Sequence, residues 1–515
     1  MLMRKKIRLL LTVLTLFVGC HLSMSANAFE VRAVYLDFRT QVMTLPAMKA
    51  FVADAASKGM NAVVVEWEAT FPFKDNLVLR NRYAFSESEV KDFISYCSSL
   101  GVDVIPLQNC FGHSEYILRH EYYSALKEDN KDRSQVCPSK IDEAESIFRS
   151  IFTEVAQLHP SEYFHIGCDE TRLLGHCREC QRKIQEEGVS KLYVDYVSRM
   201  CRIVSSLGKR PMIWADIILK YPEALQSLPE DVIIVDWNYG WNQNHFGDMD
   251  ALRNSGREIW GACSLRSHPD NLYLVQWRKH LENIFSYTSY AEDCGFRGII
   301  NTSWSTSGTY GYIYDDKNEV IDIQPVREVY PQNGFDMLMT AYSAALSENP
   351  LSPDEFLDNY CRSRLGLKSE EDISTVKDYF NMSQNPVYSF KGNTALLDTE
   401  LQKCQDLKER LENVKFRKDV SDIVKHLGLM LDIRINYLRF KQIDSIIESH
   451  DFTEKEVPEA LAKLERICKD NDRLRKEFIK LNGHYLKDPA QSFNEWTYRG
   501  KIQSRIAAFK NIVNQ

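Results

Sequence analysis

From residue 31 to about 347 the chain alternates short apolar runs with stretches of helical periodicity. The runs cover residues 31–37, 62–66, 103–107, 163–167, 211–214, 232–237, 258–263 and 298–304, rich in β-branched residues and bounded by turn formers. That composition belongs to strands. Helical patterns lie between them at 45–58, 86–100, 142–158, 191–207 and 276–294; in the second, Val90, Phe93, Ile94 and Cys97 recur on one helix face. Eight such strands separated by helices predict an α/β fold of the (β/α)8 TIM-barrel type. A doubly wound open sheet is the rival, but no GxGxxG or phosphate-binding loop follows any run. After Asn349-Pro350 strand-like runs nearly vanish, and residues 396–411, 420–449 and 457–481 repeat at helical spacing with charged outer faces. The expected organisation is a barrel over 29–349 and an α-helical C-terminal domain over 350–515.

The first 28 residues read as a signal peptide. Arg4, Lys5, Lys6 and Arg8 precede the apolar stretch 9–18, and Ala26-Asn27-Ala28 places small residues before a cleavage point. Ten or so apolar residues fall short of the ~20 needed to span a bilayer, so an exported chain, periplasmic or extracellular, is expected, with no transmembrane span after processing. Val18-Gly19-Cys20 also resembles the end of a lipobox, which makes a lipid anchor on Cys20 the second reading.

Cleavage there removes four basic residues and no acidic one, moving the formal net charge from −8 to about −12. An acidic chain without basic clusters argues against nucleic acid and anionic membranes as partners and favours a neutral substrate. Cys177-Arg178-Glu179-Cys180 is a single CxxC, with His176 and Cys168 nearby. A zinc site usually needs two such halves, so packed thiols or a disulfide are expected and no metal or organic cofactor.

In a barrel of this type the reacting groups sit at the C-terminal ends of the strands. Those positions hold Arg32 and Asp37 on the first strand, Glu66 and Glu68 on the second, His113 after the third, and Asp169 and Glu170 after the fourth. Trp214 and Asp216 follow the fifth, Trp237 and Tyr239 the sixth, and Trp304 the eighth. Aromatic faces stack on pyranose rings while acids and Arg bond hydroxyls, so this is a sugar-type set. Adjacent acids such as Asp169-Glu170 also make an ordinary helix N-terminus. As a catalytic pair they cannot easily flank a glycosidic bond from opposite sides, as the two carboxylates of an ordinary retaining glycosidase do. They can act together if a 2-acetamido group of the substrate supplies the nucleophile.

The segment His165-Ile166-Gly167-Cys168-Asp169-Glu170 resembles the HIGGDE-type signature of glycoside hydrolase family 20, the β-N-acetylhexosaminidases, with Cys168 in place of the second Gly. Four further segments resemble that family in the same order: 32–37, 66–72, 105–113 and 213–216. The Glu-Trp-Glu and Phe-Gly-His forms are closest to its hexosaminidase D-like branch. The resemblance covers residues 31–347 and implies a retaining exo-β-N-acetylhexosaminidase acting on terminal β-linked GlcNAc or GalNAc of glycans through an oxazolinium intermediate. It implies Asp169 as the amide-orienting acid and Glu170 as the general acid/base, with a pKa raised by burial beside Trp214 or Trp304. Arg32, Glu68, His113, Trp214, Asp216, Tyr239 and Trp304 are the expected substrate-binding residues. A non-catalytic glycan-binding barrel is the competing reading.

Overall fold

The structure is a computed structural model that describes residues 29–267, 270, 275–305, 310–312, 323–325, 329–383, 394–493 and 496–515. The signal segment 1–28 lies outside the described residues. Eight parallel strands close into a barrel in sequential order: β1 (Val31–Asp37), β2 (Ala62–Glu66), β3 (Asp103–Leu107), β4 (Tyr163–His165), β5 (Arg210–Trp214), β6 (Ile233–Trp237), β7 (Ile259–Arg266) and β8 (Gly298–Ser303). Closure comes from β1, which pairs with β2 at Ala33–Ala62 and with β8 at Val31–Gly298.

The strands are buried on both faces, which is why they read as near-continuous apolar runs. Alternate residues serve two cores. Ala33, Tyr35, Val64, Ile105, Met212, Trp214, Val235, Trp260 and Ile300 fill the interior, while Val34, Leu36, Val63 and Val65 face the surrounding helices. Those helices are α1 (Leu45–Ser57), α2 (Glu87–Ser99), α3 (Ile141–Leu158), α4 (Arg178–Glu187), α5 (Val189–Ser206), α6 (Trp277–Asp293) and α7 (Asp336–Ala345). Local chemistry sets their starts. Thr44 caps α1, and Ser86 with Glu89 forms a reciprocal capping box on α2.

Most strand ends fall within one residue of the sequence reading, β7 runs three residues further, to Arg266, and two differences bear on the site. Regular β4 stops at His165 rather than Gly167, because Gly167 and Cys168 turn into left-handed backbone at φ 72° and 73°. An additional helix, α4, precedes the one expected at 191–207, the two meeting at Gly188 with φ 91°.

The C-terminal helices α8 (Glu370–Phe380), α9 (Thr394–Asn413), α10 (Ser421–Ile447), α11 (Val457–Asn482) and α12 (Trp496–Val513) match the expected all-helical tail. The chain just after α11 docks on the loop that follows β1: Lys487 N donates to Val42 O at 2.8 Å and Thr44 N to Tyr485 O at 2.9 Å. On α10, His426 Nδ1 lies 2.7 Å from the Tyr330 hydroxyl. The tail therefore braces the end of the barrel where the strand-end residues gather. No helix among the described residues is long and apolar enough to cross a membrane.

Candidate active site

Just past β1 the chain turns so that the Arg39 guanidinium folds back on Asp37, with Nε to Oδ1 at 3.0 Å and Nη2 to Oδ2 at 2.9 Å. Its Nε also lies 3.3 Å from Glu66 Oε2, and its Cζ stands 5.3 Å from the centre of the Trp304 ring. Glu66 accepts from Tyr35 OH at 2.8 Å and from Asn109 Nδ2 at 2.7 Å; the same amide reaches Glu68 Oε1 at 3.2 Å. A buried network of one guanidinium and three carboxyl groups thus joins the ends of β1, β2 and β3. Burial pushes Glu66 up to about 7 against the pull of Arg39, and pushes Glu68 well above its usual range with Glu66 adding to it.

The central group is His113 with Asp169 and Glu170. His113 Nε2 lies 3.4 Å from Asp169 Oδ2 and 3.2 Å from Glu170 Oε2. Burial alone would lower the His113 pKa, but the charge of Asp169 and hydrogen bonds to the two acids raise it well above normal, so the ring is an imidazolium here. Asp216 Oδ2 accepts the Glu170 backbone N–H at 3.1 Å. Burial and the charge of Asp169 raise Asp216 to about 7. The other Asp169 oxygen, Oδ1, is buried without a hydrogen-bond partner among the described residues. Such orphans are costly and rare, which makes this atom a ready acceptor for a ligand N–H.

Backbone strain is concentrated in this group. Among the described residues the non-glycine positions with positive φ are Glu68 (43°), His113 (52°), Cys168 (73°) and Glu170 (46°). Left-handed backbone at such residues costs on the order of 1–3 kcal/mol each and persists where surrounding contacts enforce it, which is typical of functional sites. Close approach adds a constraint: a Cβ on Gly112 would sit 2.1 Å from Asp169 O, so only glycine lets the β3 loop carry His113 against the acids.

An aromatic group stands alongside. Trp304 Nε1 donates to Tyr239 OH at 2.8 Å. Trp214 packs its ring 4.3 Å from His165 and 5.8 Å from Trp304. Trp237 lies 5.1 Å from Tyr239, and its Nε1 reaches Asp216 Oδ1 at 3.5 Å. The Tyr239 hydroxyl therefore accepts from Trp304 and has the Thr302 side chain as a second hydrogen-bonding neighbour.

Residues 36–278 match the family model described as "Glycosyl hydrolase family 20, catalytic domain". The barrel belongs to glycosyl hydrolase family 20. The chain is 28% identical over 314 residues to hexosaminidase D of Bos taurus, covering 58% of this chain and 88% of that one. It is likewise 28% identical over 310 residues to hexosaminidase D of Homo sapiens, covering 56% of this chain and 63% of that one, just under two thirds. A solved β-N-acetylhexosaminidase from Bacteroides fragilis superposes with a TM-score of 0.48 at 20% identity, over 65% of this chain and 70% of that one. The chain is a glycoside hydrolase of the hexosaminidase type.

Of the residues expected in this family 20 site, Asp169, Glu170, His113, Asp216, Glu68, Tyr239, Trp214 and Trp304 do gather at the C-terminal end of the barrel. Arg32 does not. It occupies the second position of β1, and its guanidinium bonds Phe29 O at 2.7 Å and Gly59 O at 2.8 Å, which tie down the opposite end. Arg39 is instead the arginine buried at the site, and no bond of its Nη1 is seen among the described residues. The strand-end rule that picked out Asp37 points to Arg39 two residues on; following the motif rather than the strand direction led to Arg32. Asn109, the shared donor to Glu66 and Glu68, was also missed.

The Glu170 pKa is a second correction. Burial raises it, but the hydrogen bond and charge of His113, with Arg172 at 2.8 Å from Oε1, outweigh burial and hold it at about 2. Its partners are cations rather than the two tryptophans. Cys168, the departure from the family signature, sits in left-handed backbone, where a second glycine would be free of strain. Its thiol packs 3.8 Å from Cys110 Sγ.

Proposed function

We propose that the chain is a retaining exo-β-N-acetylhexosaminidase that releases terminal β-linked GlcNAc or GalNAc from glycans by substrate-assisted catalysis. The carrying observation is the buried, unpartnered Asp169 Oδ1 beside a Glu170 held by His113. In this reading Asp169 Oδ1 accepts the acetamide N–H and Tyr239 donates to the acetamide oxygen. That oxygen bonds the anomeric carbon as the bond to the leaving oxygen breaks. Glu170 delivers the proton to the leaving oxygen, and the positive oxazolinium ring rests against the Asp169 carboxylate. Glu170 then takes a proton from water, which attacks the anomeric carbon and reopens the ring, so the β configuration is kept.

Glu170 can hold a proton only after its cationic partners let go. The exposed Arg172 is the group that an arriving sugar displaces. Arg39, whose Nη1 has no partner among the described residues, takes the hydroxyl-binding role first assigned to Arg32. Both acids are in place, which leaves the glycan-binding-only reading without support. Glu170→Gln tests the assignment. Hydrolysis of an aryl N-acetyl-β-glucosaminide falls by about 10²–10⁴-fold at unchanged melting temperature; retained turnover in a folded variant refutes it.

Export rests on the sequence alone: the basic-then-apolar order before Ala28 supports cleavage there. Edman sequencing of the processed chain that starts at Phe29 agrees with this. A lipid-modified Cys20 at the N-terminus shows the lipoprotein route instead.

A further inference from the structure

We infer that Glu128, Cys137, Cys177 and Cys180 form a structural zinc site that clamps the loop after β3 to the loop after β4. One ligand atom from each residue falls in a cluster whose members all lie within 4.8 Å of one another. Cys137 Sγ is 3.6 Å from Cys177 Sγ and 3.6 Å from Cys180 Sγ, and Glu128 Oε2 is 3.3 Å from Cys180 Sγ. Ligands about 2.3 Å from a tetrahedral zinc stand roughly 3.8 Å apart, so these separations match a coordination sphere. They do not match a disulfide, whose sulfurs are about 2.0 Å apart.

The expected disulfide or packed thiols also leave the chemistry unbalanced. Any one disulfide leaves a third thiol over, next to the carboxylate of the buried Glu128. A buried carboxylate among sulfurs is stable when it shares a cation with them. Three soft thiolates select zinc over magnesium or calcium. The surroundings are those of a metal knuckle. Cys177 caps α4, and its Sγ accepts the Cys180 backbone N–H at 3.4 Å. Cys177 N donates to Glu128 Oε1 at 2.8 Å, leaving Oε2 toward the sulfurs, and Ser139 Oγ lies 3.0 Å from Cys180 Sγ. His176 stays out of the cluster, its Nε2 lying 3.2 Å from Asp129 Oδ2.

The sequence reading found one CxxC and looked for a second. The other half is instead a single Cys and a Glu in a different loop, 40 and 49 positions upstream of Cys177. That position has a consequence for the barrel. Glu128 and Cys137 belong to the loop that bears His113; Cys177 and Cys180 close the segment that bears Asp169 and Glu170. Leu173 N already reaches Gln135 Oε1 across the gap at 2.8 Å. A metal held by residues of both loops ties the segment that carries His113 to the segment that carries the acids.

The test is metal analysis by inductively coupled plasma mass spectrometry on the full chain, purified under reducing conditions and reconstituted with zinc. The expected content is about one zinc per chain. Replacement by cobalt(II) is expected to give thiolate-to-metal charge transfer in the near ultraviolet and intense tetrahedral visible bands. Cys177→Ser with Cys180→Ser is expected to drop the zinc to background and lower the melting temperature. A wild-type chain with no bound metal, or a Cys–Cys pair recovered by peptide mass mapping, overturns the proposal. So does a double variant that keeps its zinc. The wild-type stoichiometry and cobalt spectrum decide the matter even if the variant fails to fold.

Discussion

His113 holds Glu170 as a carboxylate: the imidazole Nε2 lies 3.2 Å from Oε2, and its hydrogen bond, reinforced by its charge, does most to keep that acid at about 2 against the pull of burial. The second force is Arg172, whose side chain is largely exposed. The resting site is therefore charged and locked, and substrate must loosen it before Glu170 can act as an acid. Removing Arg172 takes away one of the two cations, so the Glu170 pKa rises. In Arg172→Gln the basic limb of the kcat/KM profile moves to higher pH relative to wild type. A pH–rate series checks this; a limb that stays put or moves down contradicts the displaced-cation account.

Tyr239 is the proposed donor to the acetamide oxygen, its own oxygen accepting from Trp304 Nε1. Tyr239→Phe keeps the ring and removes that donor. Loss of one donor to a developing charge costs about 10²–10³-fold in kcat. Steady-state kinetics should show the fall in kcat with little change in KM.

The two arginines near β1 separate end from end. Arg32→Ala loses only bonds at the far end of the barrel, and KM should stay within about twofold of wild type. Arg39→Ala leaves the buried Asp37 and Glu66 without their cation, an effect on the order of 3–5 kcal/mol. Thermal melts should register that loss, and Arg39→Lys, keeping the charge but not the fork, should raise KM.

Asp216 gives a pH signature in stability. Its folded pKa of about 7 lies above the ordinary aspartate value of 3.8. Below the lower value the group is protonated in both states and contributes nothing. As pH rises through this window the unfolded chain loses its proton first, so the folded state becomes relatively less stable, reaching a plateau above about 7. Asp216→Asn removes the penalty while keeping an acceptor for Glu170 N. Its melting temperature should gain on the wild type steadily between pH 4 and pH 7, by an amount on the order of a few kcal/mol in free energy.

What the sequence made legible follows from period and position. Strands buried on two faces read as unbroken apolar runs, so all eight were found, and Asp169-Glu170 stood out because two acids follow an apolar strand. Positions set by backbone direction were harder. Arg32 carries the expected residue type at the wrong end of β1, whereas Arg39 lies beyond the strand and belongs to no periodic pattern. The Glu170 environment was misread because His113 and Arg172 reach it through left-handed turns at 113 and 170, which leave no trace in hydropathy. The cluster of Cys137 with Cys177 and Cys180 was hidden for a similar reason: its halves meet only when two loops of the barrel are brought side by side.

The most direct measurement compares initial rates on two aryl β-glycosides that differ only at C2, an N-acetylglucosaminide and a glucoside. A sugar that supplies its own attacking oxygen leaves the enzyme unable to process the partner that lacks it. Turnover of the N-acetylglucosaminide with none of the glucoside is the predicted result. Comparable rates on the two would show that a carboxylate of the protein is the nucleophile and that Asp169 is not there to orient an amide.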